Sequence, residues 1–480
     1  MPKYTLHLFD TLLRKEEPIL PSDGKTIRFY TCGPTIYDVA HIGNFRTFLF
    51  EDLLRRTLQL FGFSVSQVMN ITDVDDKTIR GAMQKGISLS AYTEPYKHAF
   101  FQDLNTLRIE PAEHYPEATA YIPEMINMIK TLEAKGAAYR HADNSIYFRI
   151  AMAKEYGKLS HLDLEALQHG ASGRTLGDEY NKEGISDFVL WKAYDEKRDG
   201  TVFWDSPWGK GRPGWHLECS VMAQKLLGDT IDLHAGGVDL IFPHHENEIA
   251  QSETCTGKPF SLHWAHAEHL LVDHKKMSKS LGNFYTLRDL LEKGYSPIAI
   301  RFFLQTNHYR TQLNFTTQAL DAAVISIKRI RDFAERLHVT DTQTPPKEPF
   351  TTVVDMFEDR FCTALSHDLN ISEALAALFE FIRLVNGLLD ASAMNDGDRA
   401  YACAFLHRVD SILAVIAPEE EATPETVQNM LKERLEARKQ KDWAKSDTLR
   451  ARIKDLGFLV EDLPAGQRVT KGAPCQPKKG

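Results

Sequence analysis

A strand, a glycine-proline loop, a helix and a second strand follow one another near the start of the chain, and this order constrains the fold most. Residues Thr26 to Cys32 alternate and are rich in β-branched and aromatic side chains. Gly33-Pro34 ends this run, and an apolar helical pattern extends from Asn44 to Leu60. Ser64 to Ile71 is typical of a second strand. The sequence therefore predicts a β-α-β unit and an α/β fold with a parallel sheet.

A second α/β segment lies in the middle of the chain. Ile231 to Leu233 predicts a short strand, and Pro243 is placed to open a helix through His244, Glu248 and Gln251. Both segments are expected in one Rossmann-type core.

The predicted secondary structure changes twice in the rest of the chain. Residues 111 to about 206 mix helical stretches, short strands and glycine-rich polar loops, which is typical of an insertion. After Gly294 the pattern is almost wholly helical, and Val339 to Phe350 and Ala417 to Glu425 are predicted to be linkers. The elements predicted in the insertion are a helix at Pro123 to Lys135 and a strand at Ser145 to Ile150.

Size and composition indicate a globular protein. At roughly 150 residues per domain, 480 residues correspond to about three domains. No run approaches the roughly 18 apolar residues of a membrane span, and the charged start is not typical of a signal peptide, so we expect a cytoplasmic chain with no membrane partner. The six cysteines lie far apart, which favours free thiols or metal ligands over a disulfide scaffold.

The net charge of −9 conceals an uneven distribution. From Lys432 to Gly480 the chain carries 13 Lys and Arg against 7 Asp and Glu. A basic C-terminal end on an acidic body can still bind nucleic acid.

The stretch from Cys32 to Asn44 stands where the first strand ends and the first helix begins. In such sheets, ligands bind beyond the carboxyl ends of the strands, where helix N-termini attract phosphate. Gly43 would allow close approach of a nucleotide, and His41 and Asn44 are placed to donate to phosphate oxygens. A proline-glycine loop with a capping Asn is the structural alternative.

Lys276-Met277-Ser278-Lys279-Ser280 forms a second basic segment. Two lysines among small hydroxyl residues suit a loop that closes on charge developing in phosphoryl or adenylyl transfer, although a solvated surface loop has the same composition. Together, His-Ile-Gly-Asn and Lys-Met-Ser-Lys-Ser resemble the paired signature motifs of class I aminoacyl-tRNA synthetases.

A scattered set of side chains is a candidate metal site. His244 and Glu248 lie at i and i+4 of a predicted helix, Cys219 precedes them, and Cys32 ends the first strand. Spacing leaves His245 and Glu246 open as ligands. The alternative is that both cysteines are small buried hydrophobes and the His-Glu pair is a solvated face.

Five segments occur in this order along the chain: TCGPTIYDVAHIGN, NITDVDDK, GWHLECS, FPHHENEIAQS and KMSKSLGNF. Together they resemble the bacterial cysteinyl-tRNA synthetase family, and the similarity extends from about Thr26 to Asp462. The resemblance implies ATP-dependent activation of L-cysteine, transfer to the 3′ end of tRNA(Cys), one zinc ion per chain, Mg2+ with the ATP, and a monomer.

The resemblance also implies residue roles by matching positions. These are zinc ligands at Cys32, Cys219, His244 and Glu248; a cysteine pocket with Thr72, Trp215 and Asp239; ATP contacts at His41, Asn44 and Lys279, with Lys276 as a further catalytic lysine; and tRNA contacts at Arg438, Trp443, Asp447, Arg450 and Asp462. Taken singly, Thr72 could be a helix cap, Trp215 core packing and Asp239 a turn residue.

The expected domains follow from the pattern and the resemblance together. They are a catalytic core at 1–110 and 205–258, an insertion (connective peptide) at 111–204, a KMSKS-loop and stem-contact region at 259–314, a helical bundle at 315–416 and a small anticodon-binding domain at 425–480. We expect the tail from Thr470 to lack fixed structure.

The chemistry agrees with a zinc site that binds substrate. Shape alone discriminates cysteine from serine poorly, since the two differ by one sulfur-for-oxygen exchange. A thiol on zinc becomes a thiolate at neutral pH, whereas an alkyl hydroxyl is a harder and far less acidic ligand. We therefore expect direct recognition of the thiol without an editing domain.

Three departures from the family pattern occur. His266-Ala267-Glu268 stands where the family often has His-x-Gly, His367 replaces a usual acidic residue, and the end of the chain lacks a frequent Trp. Two other functions remain as alternatives: a ligase that joins activated cysteine to a small amine, and a non-catalytic nucleic-acid-binding protein with structural zinc. The basic tail disfavours the first, and the paired ATP motifs disfavour the second.

Overall fold

The structure is a computed structural model that describes residues 3–161, 187–278, 281–337, 339, 344–416, 425–439, 442–456, 458–463 and 466–471. The chain divides into two compact units, Met1–Ile416 and Ala417–Gly480. Among the described residues, no helix combines the length and apolar character that a membrane span requires.

The strands and helices are numbered in chain order over the described residues. The strands are β1 His7–Asp10, β2 Lys15–Pro18, β3 Thr26–Thr31, β4 Ser64–Met69, β5 Ala138–Arg140, β6 Ile146–Phe148, β7 Phe188–Ala193, β8 Gly211–Pro213, β9 Ile231–Gly237, β10 Ser261–Ala267, β11 Leu270–Val272, β12 Lys275–Lys276, β13 Leu313–Phe315, β14 Phe458–Leu463 and β15 Gly466–Lys471. The helices are α1 Ile42–Leu60, α2 Asp76–Lys85, α3 Leu89–Thr106, α4 Ile122–Ala134, α5 Glu196–Asp199, α6 Trp215–Leu227, α7 Glu246–Thr256, α8 Leu287–Glu292, α9 Pro297–Gln305, α10 Thr317–Arg336, α11 Glu348–Ser366, α12 Ile371–Asp390, α13 Asp396–Leu413, α14 Glu425–Lys439 and α15 Trp443–Asp455.

The central sheet has four parallel strands in the order β10-β9-β3-β4. Tyr30 of β3 is paired with His234 of β9 on one side and with Val68 of β4 on the other. The predicted β-α-β unit is confirmed, because α1 connects the parallel pair β3 and β4. The sheet includes β10, which lies beyond residue 258, the expected end of the core.

The helix predicted to open at Pro243 is wrong in its first turn. Ile241–His245 forms a wide π-type turn in which Phe242 is extended (φ −134°, ψ 132°), and α7 begins only at Glu246. A proline lacks an N–H and restricts the residue before it to extended conformations, so the chain at Phe242 cannot belong to a regular helix.

The insertion packs α4 beside an antiparallel sheet in the order β5-β6-β7-β8. The helix predicted at Pro123 to Lys135 and the strand predicted at Ser145 to Ile150 correspond to α4 and β6. The glycine-rich loop predicted near residues 169–184 lies outside the described residues.

A helical bundle follows the sheet, as predicted for the C-terminal third. Helices α10 to α13 meet around Phe381, whose ring centroid lies 5.9 Å from Phe333, 5.6 Å from Phe357 and 4.9 Å from Phe405. Edge-to-face aromatic pairs of this kind add to the free energy gained by burying the rings.

The second unit consists of α14, α15 and the antiparallel hairpin β14-β15. Its core contains Val427, Ile453, Phe458 and Val460. We expected the chain to lack fixed structure from Thr470 onward. This is wrong for Thr470 and Lys471, because strand β15 extends to Lys471. Residues 472–480 lie outside the described part.

Candidate functional site

Four side chains from three separated segments meet at the carboxyl end of the central sheet. Cys32 follows β3, Cys219 lies on α6, His244 lies in the turn before α7, and Glu248 lies on α7. All four are buried, and one potential ligand atom from each lies within 4.8 Å of the others.

The donor atoms lie close to the separations of a four-coordinate ion, and small side-chain shifts would bring them into its range. The Sγ atoms of Cys32 and Cys219 are 3.9 Å apart, Cys32 Sγ lies 3.9 Å from Glu248 Oε1, and His244 Nε2 lies 2.9 Å from the same oxygen. A tetrahedral ion with bonds of about 2.0–2.3 Å holds its donor atoms about 3.3–3.8 Å apart. Two sulfurs, one imidazole and one carboxylate form a donor set that zinc accepts.

The electrostatics favour the ligating form of one thiol. Burial opposes ionisation of Cys219, but the hydrogen bond from Cys32 and the nearby His244 outweigh it and lower the pKa of Cys219 to about 6. Burial would also raise the pKa of Glu248, yet His234 and His244 hold it at about 2. For Cys32, burial and Cys219 raise the pKa well above its usual value.

Thr72 and Trp215, two residues predicted for the cysteine pocket, border this group. The hydroxyl of Thr72 donates to Glu218 Oε2 at 3.1 Å and accepts from Asn70 Nδ2 at 3.1 Å. The ring of Trp215 lies 4.1 Å from the ring of His244, centroid to centroid. Asp239, the third predicted pocket residue, is exposed in the turn directly after β9.

His41 and Asn44 form the N-terminal cap of α1. The backbone N–H of Asn44 donates to His41 Nδ1 at 3.1 Å, and the backbone N–H of His41 donates to Asn44 Oδ1 at 3.1 Å. Because Nδ1 accepts, the proton of the neutral ring is on Nε2, which can then act as a donor. The capping alternative is therefore present in the structure and is compatible with a role in anion binding.

The loop after β12 lies against the start of α1. A Cβ atom added at Gly43 would stand 3.3 Å from the terminal methyl group of Met277, and the N–H of Ile42 donates to the carbonyl of Tyr285 at 3.0 Å. Asn283 closes the loop by accepting from the Ser278 N–H at 2.8 Å. Lys276 is exposed, and Lys279 lies outside the described residues.

Sequence spacing left His245 and Glu246 open as ligands, and the structure separates them. His245 Nε2 lies 3.3 Å from Cys32 Sγ. The carboxylate of Glu246 instead accepts backbone N–H groups of the insertion, from Gly157 at 2.8 Å and Leu159 at 3.1 Å. Glu246 thus fastens the insertion to α7, whereas His245 faces the sulfur.

Several residues around the group were not predicted. His234 Nε2 lies 2.9 Å from Glu248 Oε2, and His245 Nδ1 lies 2.8 Å from His266 Nε2. Glu218 and Asn70, which bond Thr72, were also missed. The sequence signal available for His234 was its position in a buried strand beside the site, which does not separate a site residue from a core residue.

The two unusual family positions, Glu268 and His367, have structural partners, as does the neighbouring His266. His266 is buried between His245 and Thr11, whose Oγ1 lies 2.7 Å from His266 Nδ1. The N–H of Glu268 donates to the carbonyl of Tyr309 at 2.8 Å. The His367 ring lies 6.5 Å from that of His7 in a stacked arrangement.

The predicted tRNA-contacting residues lie on the second unit. The guanidinium of Arg438 lies 5.6 Å from the ring centroid of Trp443, whose residue surface is 56% exposed. Arg450 donates to the carbonyl of Val460 at 3.1 Å, and Asp447 is exposed. The backbone of Asp462 lies in β14, and its side chain is outside the described part.

Three family models match consecutive parts of the chain. They are the catalytic domain of class I (C) tRNA synthetases over residues 18–325, a DALR domain over 360–417, and the cysteinyl-tRNA ligase anticodon-binding domain over 420–469. Among solved structures, methionyl-tRNA synthetase of Mycobacterium tuberculosis in complex with methionyl-adenylate matches with a TM-score of 0.59 at 14% identity, over 82% of this chain and 90% of that one. This likeness shows the class I fold.

Curated relatives match along almost the whole chain. A cysteine–tRNA ligase of Protochlamydia amoebophila is 54% identical over 97% of this chain and 98% of the relative. That of Chlamydia pneumoniae is 53% identical with the same coverage. The chain therefore belongs to the cysteine–tRNA ligase family of class I aminoacyl-tRNA synthetases.

Proposed function

We propose that the chain is an ATP-dependent cysteine–tRNA ligase. The observation that carries this function is the buried Cys32, Cys219, His244 and Glu248 group at the carboxyl end of the sheet, within a family match that covers the catalytic and anticodon-binding regions. The α-carboxylate of cysteine attacks the α-phosphorus of ATP and displaces pyrophosphate. The terminal ribose hydroxyl of tRNA then attacks the cysteinyl carbonyl and displaces AMP.

No protein nucleophile is needed for either step, so the chain acts by alignment and charge stabilisation. His41 Nε2 and the amide group of Asn44, at the N-terminus of α1, are donors for phosphate oxygens. Lys276 and Lys279 supply positive charge as the loop closes over pyrophosphate. Magnesium accompanies the ATP.

We assign Cys32, Cys219, His244 and Glu248 as zinc ligands. Their donor atoms, burial and spacing fit this ion, and the lowered pKa of Cys219 supports thiolate ligation. When bound, zinc supplies a soft Lewis acid that favours a thiolate over a hydroxyl. The ring of Trp215 lies 4.1 Å from that of His244, so we assign it to the apolar wall beside the ligands.

The rest of the cysteine pocket binds the polar end of the substrate. Thr72 is held in one orientation by Asn70 and Glu218, and its hydroxyl can accept from the substrate ammonium group. Asp239, exposed at the end of β9, supplies a carboxylate for the same positive charge. We therefore assign both groups to substrate binding.

The second unit is assigned to the anticodon of tRNA(Cys). Trp443 offers an exposed face for a base, and Arg438 lies over the same ring. Aromatic stacking is worth about 1–3 kcal/mol per base. Asp447, Arg450 and Asp462 are assigned to base edges. This unit gives no reason for a small-amine acceptor, so tRNA is the acceptor we propose.

The chain is further proposed to be a monomer that acts in the cytoplasm, where translation uses its product. Light scattering of the purified chain tests the first statement: a mass near twice 54.5 kDa would contradict it. Fractionation of cells that express the chain tests the second.

Charging of total bacterial tRNA with labelled cysteine tests the function. We expect cysteine to be attached only when ATP is present, and serine to be attached at a far lower rate. A zinc-loaded, folded chain that exchanges pyrophosphate with ATP in the presence of cysteine but charges no tRNA would contradict the proposed acceptor.

A further inference from the structure

A second set of four potential metal ligands overlaps the first. It keeps Cys32 and Glu248 and replaces Cys219 and His244 with His234 and His245. One ligand atom from each of these four residues also lies within 4.8 Å of the others, and all four side chains are buried. We call the first set the outer group and this set the inner group.

The inner distances resemble those of the outer group. Cys32 Sγ lies 3.3 Å from His245 Nε2 and 3.9 Å from Glu248 Oε1, and Glu248 Oε2 lies 2.9 Å from His234 Nε2. A tetrahedral ion needs donor separations of about 3.3–3.8 Å, so small side-chain shifts suffice. The carboxylate of Glu248 presents one oxygen to each group, since Oε1 faces His244 and Oε2 faces His234.

The neighbours of His245 orient it as a ligand. Its Nδ1 lies 2.8 Å from His266 Nε2, and His266 Nδ1 lies 2.7 Å from Thr11 Oγ1. If each imidazole donates from Nδ1 along this chain, the lone pair of His245 Nε2 points to Cys32. A hydrogen bond at the second ring nitrogen is the usual way in which a metal-binding imidazole is oriented.

His234 can adopt the tautomer that ligation needs. Its ring is stacked on Trp264 with centroids 4.5 Å apart, and within the described residues Nδ1 has no hydrogen-bond partner. In this structure the hydrogen bond to Glu248 Oε2 at 2.9 Å holds the proton on Nε2, so ligation requires that proton to move. The proton can move to Nδ1 and leave the lone pair of Nε2 for an ion.

The two groups differ in chemistry and surroundings. The outer group has two sulfurs and one imidazole and borders Thr72 and Trp215, whereas the inner group has one sulfur and two imidazoles and lies beside Trp264 and Phe260. Imidazole donors suit Ni2+ and Co2+, and an added thiolate favours zinc. Since Cys32 and Glu248 are common to both groups, an ion bound in one group changes the ligands that the other can offer.

We propose that the inner group of Cys32, His234, His245 and Glu248 is a second metal position that takes a nitrogen-preferring divalent ion. At this position the ring of His234 lies against Trp264 and Phe260. This inference does not depend on the proposed function.

X-ray absorption of the unmodified full chain tests the proposal directly. With Zn2+ alone we expect two sulfur ligands and one imidazole, and with Ni2+ alone one sulfur and two imidazoles. The same sulfur and imidazole counts for both metals would overturn the proposal.

Two further substitutions test the proposal independently. Both are made in a chain that carries Cys219→Ala, which removes one ligand of the outer group, and the affinity for Co2+ alone is measured by titration. Adding His245→Gln is expected to weaken cobalt binding by more than about 100-fold, since a direct ligand matters more than its outer partners. Adding His244→Gln, the matched control at a neighbouring buried imidazole, should change it by less than about 3-fold.

If His244→Gln weakens cobalt binding more than His245→Gln does, the ion is bound by the outer ligands that remain after Cys219→Ala. That result would overturn the proposed inner position. Circular dichroism of each variant establishes that it is folded. If a double variant does not fold, the absorption comparison on the unmodified chain decides alone.

Discussion

At the residue scale, the hydroxyl of Thr72 is the simplest group to remove from the proposed cysteine pocket. Thr72→Val keeps the shape but leaves Glu218 and Asn70 without their partner at 3.1 Å. Loss of such a buried hydrogen bond costs about 1–3 kcal/mol. We predict that the KM for cysteine in pyrophosphate exchange rises at least about 10-fold while the KM for ATP changes little.

Thr93→Val is a matched control for this substitution. Thr93 is also buried, but its hydroxyl bonds only carbonyls of its own helix, at Leu89 and Ser90. The KM of the Thr93→Val variant for cysteine should equal that of the unmodified chain. An unchanged KM in Thr72→Val would remove Thr72 from the pocket.

At the scale of elements, the position of α1 depends on a buried ion pair. Asp52 of α1 accepts from Arg301 of α9 at 2.5 Å, and both side chains are fully buried. Arg301 also donates to the carbonyls of Leu413 at 2.7 Å and Leu107 at 2.7 Å. The pair thus joins α1, the helix capped by His41, to α9 and to the end of the bundle.

Asp52→Asn should destabilise the chain strongly, because it leaves the charge of Arg301 buried without a counter-ion. Breaking such a pair costs about 3–5 kcal/mol. Urea unfolding followed by circular dichroism measures the loss. Asp332→Asn removes an exposed partner of Lys328 and serves as the control, for which less than about 0.5 kcal/mol is expected.

The effect of Asp52→Asn should depend on pH. Burial opposes ionisation of Asp52, but Arg301 and Arg56 outweigh it and lower its pKa below the usual value. A carboxyl with a lowered pKa stabilises the fold above its unfolded pKa of about 3.9 and loses this contribution as pH falls through the folded pKa. The variant should therefore differ most from the unmodified chain near neutral pH, and a difference that grows on acidification would contradict the account.

Helices and strands with a regular pattern of hydrophobic residues could be predicted from the sequence, and irregular turns could not. Alternation and a glycine-proline break located β3, α1 and β4 to within two residues. The turn at Ile241–His245 was predicted to be α-helical, because the i, i+4 spacing of His244 and Glu248 is also what a regular α-helix would give. The pair still meets at 2.9 Å, since the wide turn keeps His244 over Glu248.

At the scale of the whole molecule, activation and tRNA binding are assigned to different units. Trp443→Ala removes an exposed ring from the second unit, and stacking of one base contributes about 1–3 kcal/mol. We predict that the KM for tRNA rises about 5-fold to 100-fold while cysteine-dependent pyrophosphate exchange is unchanged. Leu456→Ala, at another exposed apolar residue of this unit, is the control.

A fall in pyrophosphate exchange in Trp443→Ala equal to its fall in charging would contradict this division between the units. The measurement is a pair of steady-state assays on the same full-length preparations.

Only part of the candidate site could be predicted from the spacing of residues in the sequence. Spacing connects His244 with Glu248, but Cys32 and Cys219 are 187 positions apart and meet only because α6 packs against β3 and β4. Strand order is set by packing over the whole core, so the family resemblance was needed to select these cysteines. The histidines at 234 and 266 lie on buried strands, where periodicity predicts core packing and nothing more.

The central claim is that zinc held by Cys32, Cys219, His244 and Glu248 binds the substrate thiol. X-ray absorption at the zinc edge of the loaded chain, before and after addition of L-cysteine, tests it most directly. The account predicts two sulfur ligands without cysteine and three with it, at about 2.3 Å. A sulfur count that stays at two when cysteine saturates the site would contradict it.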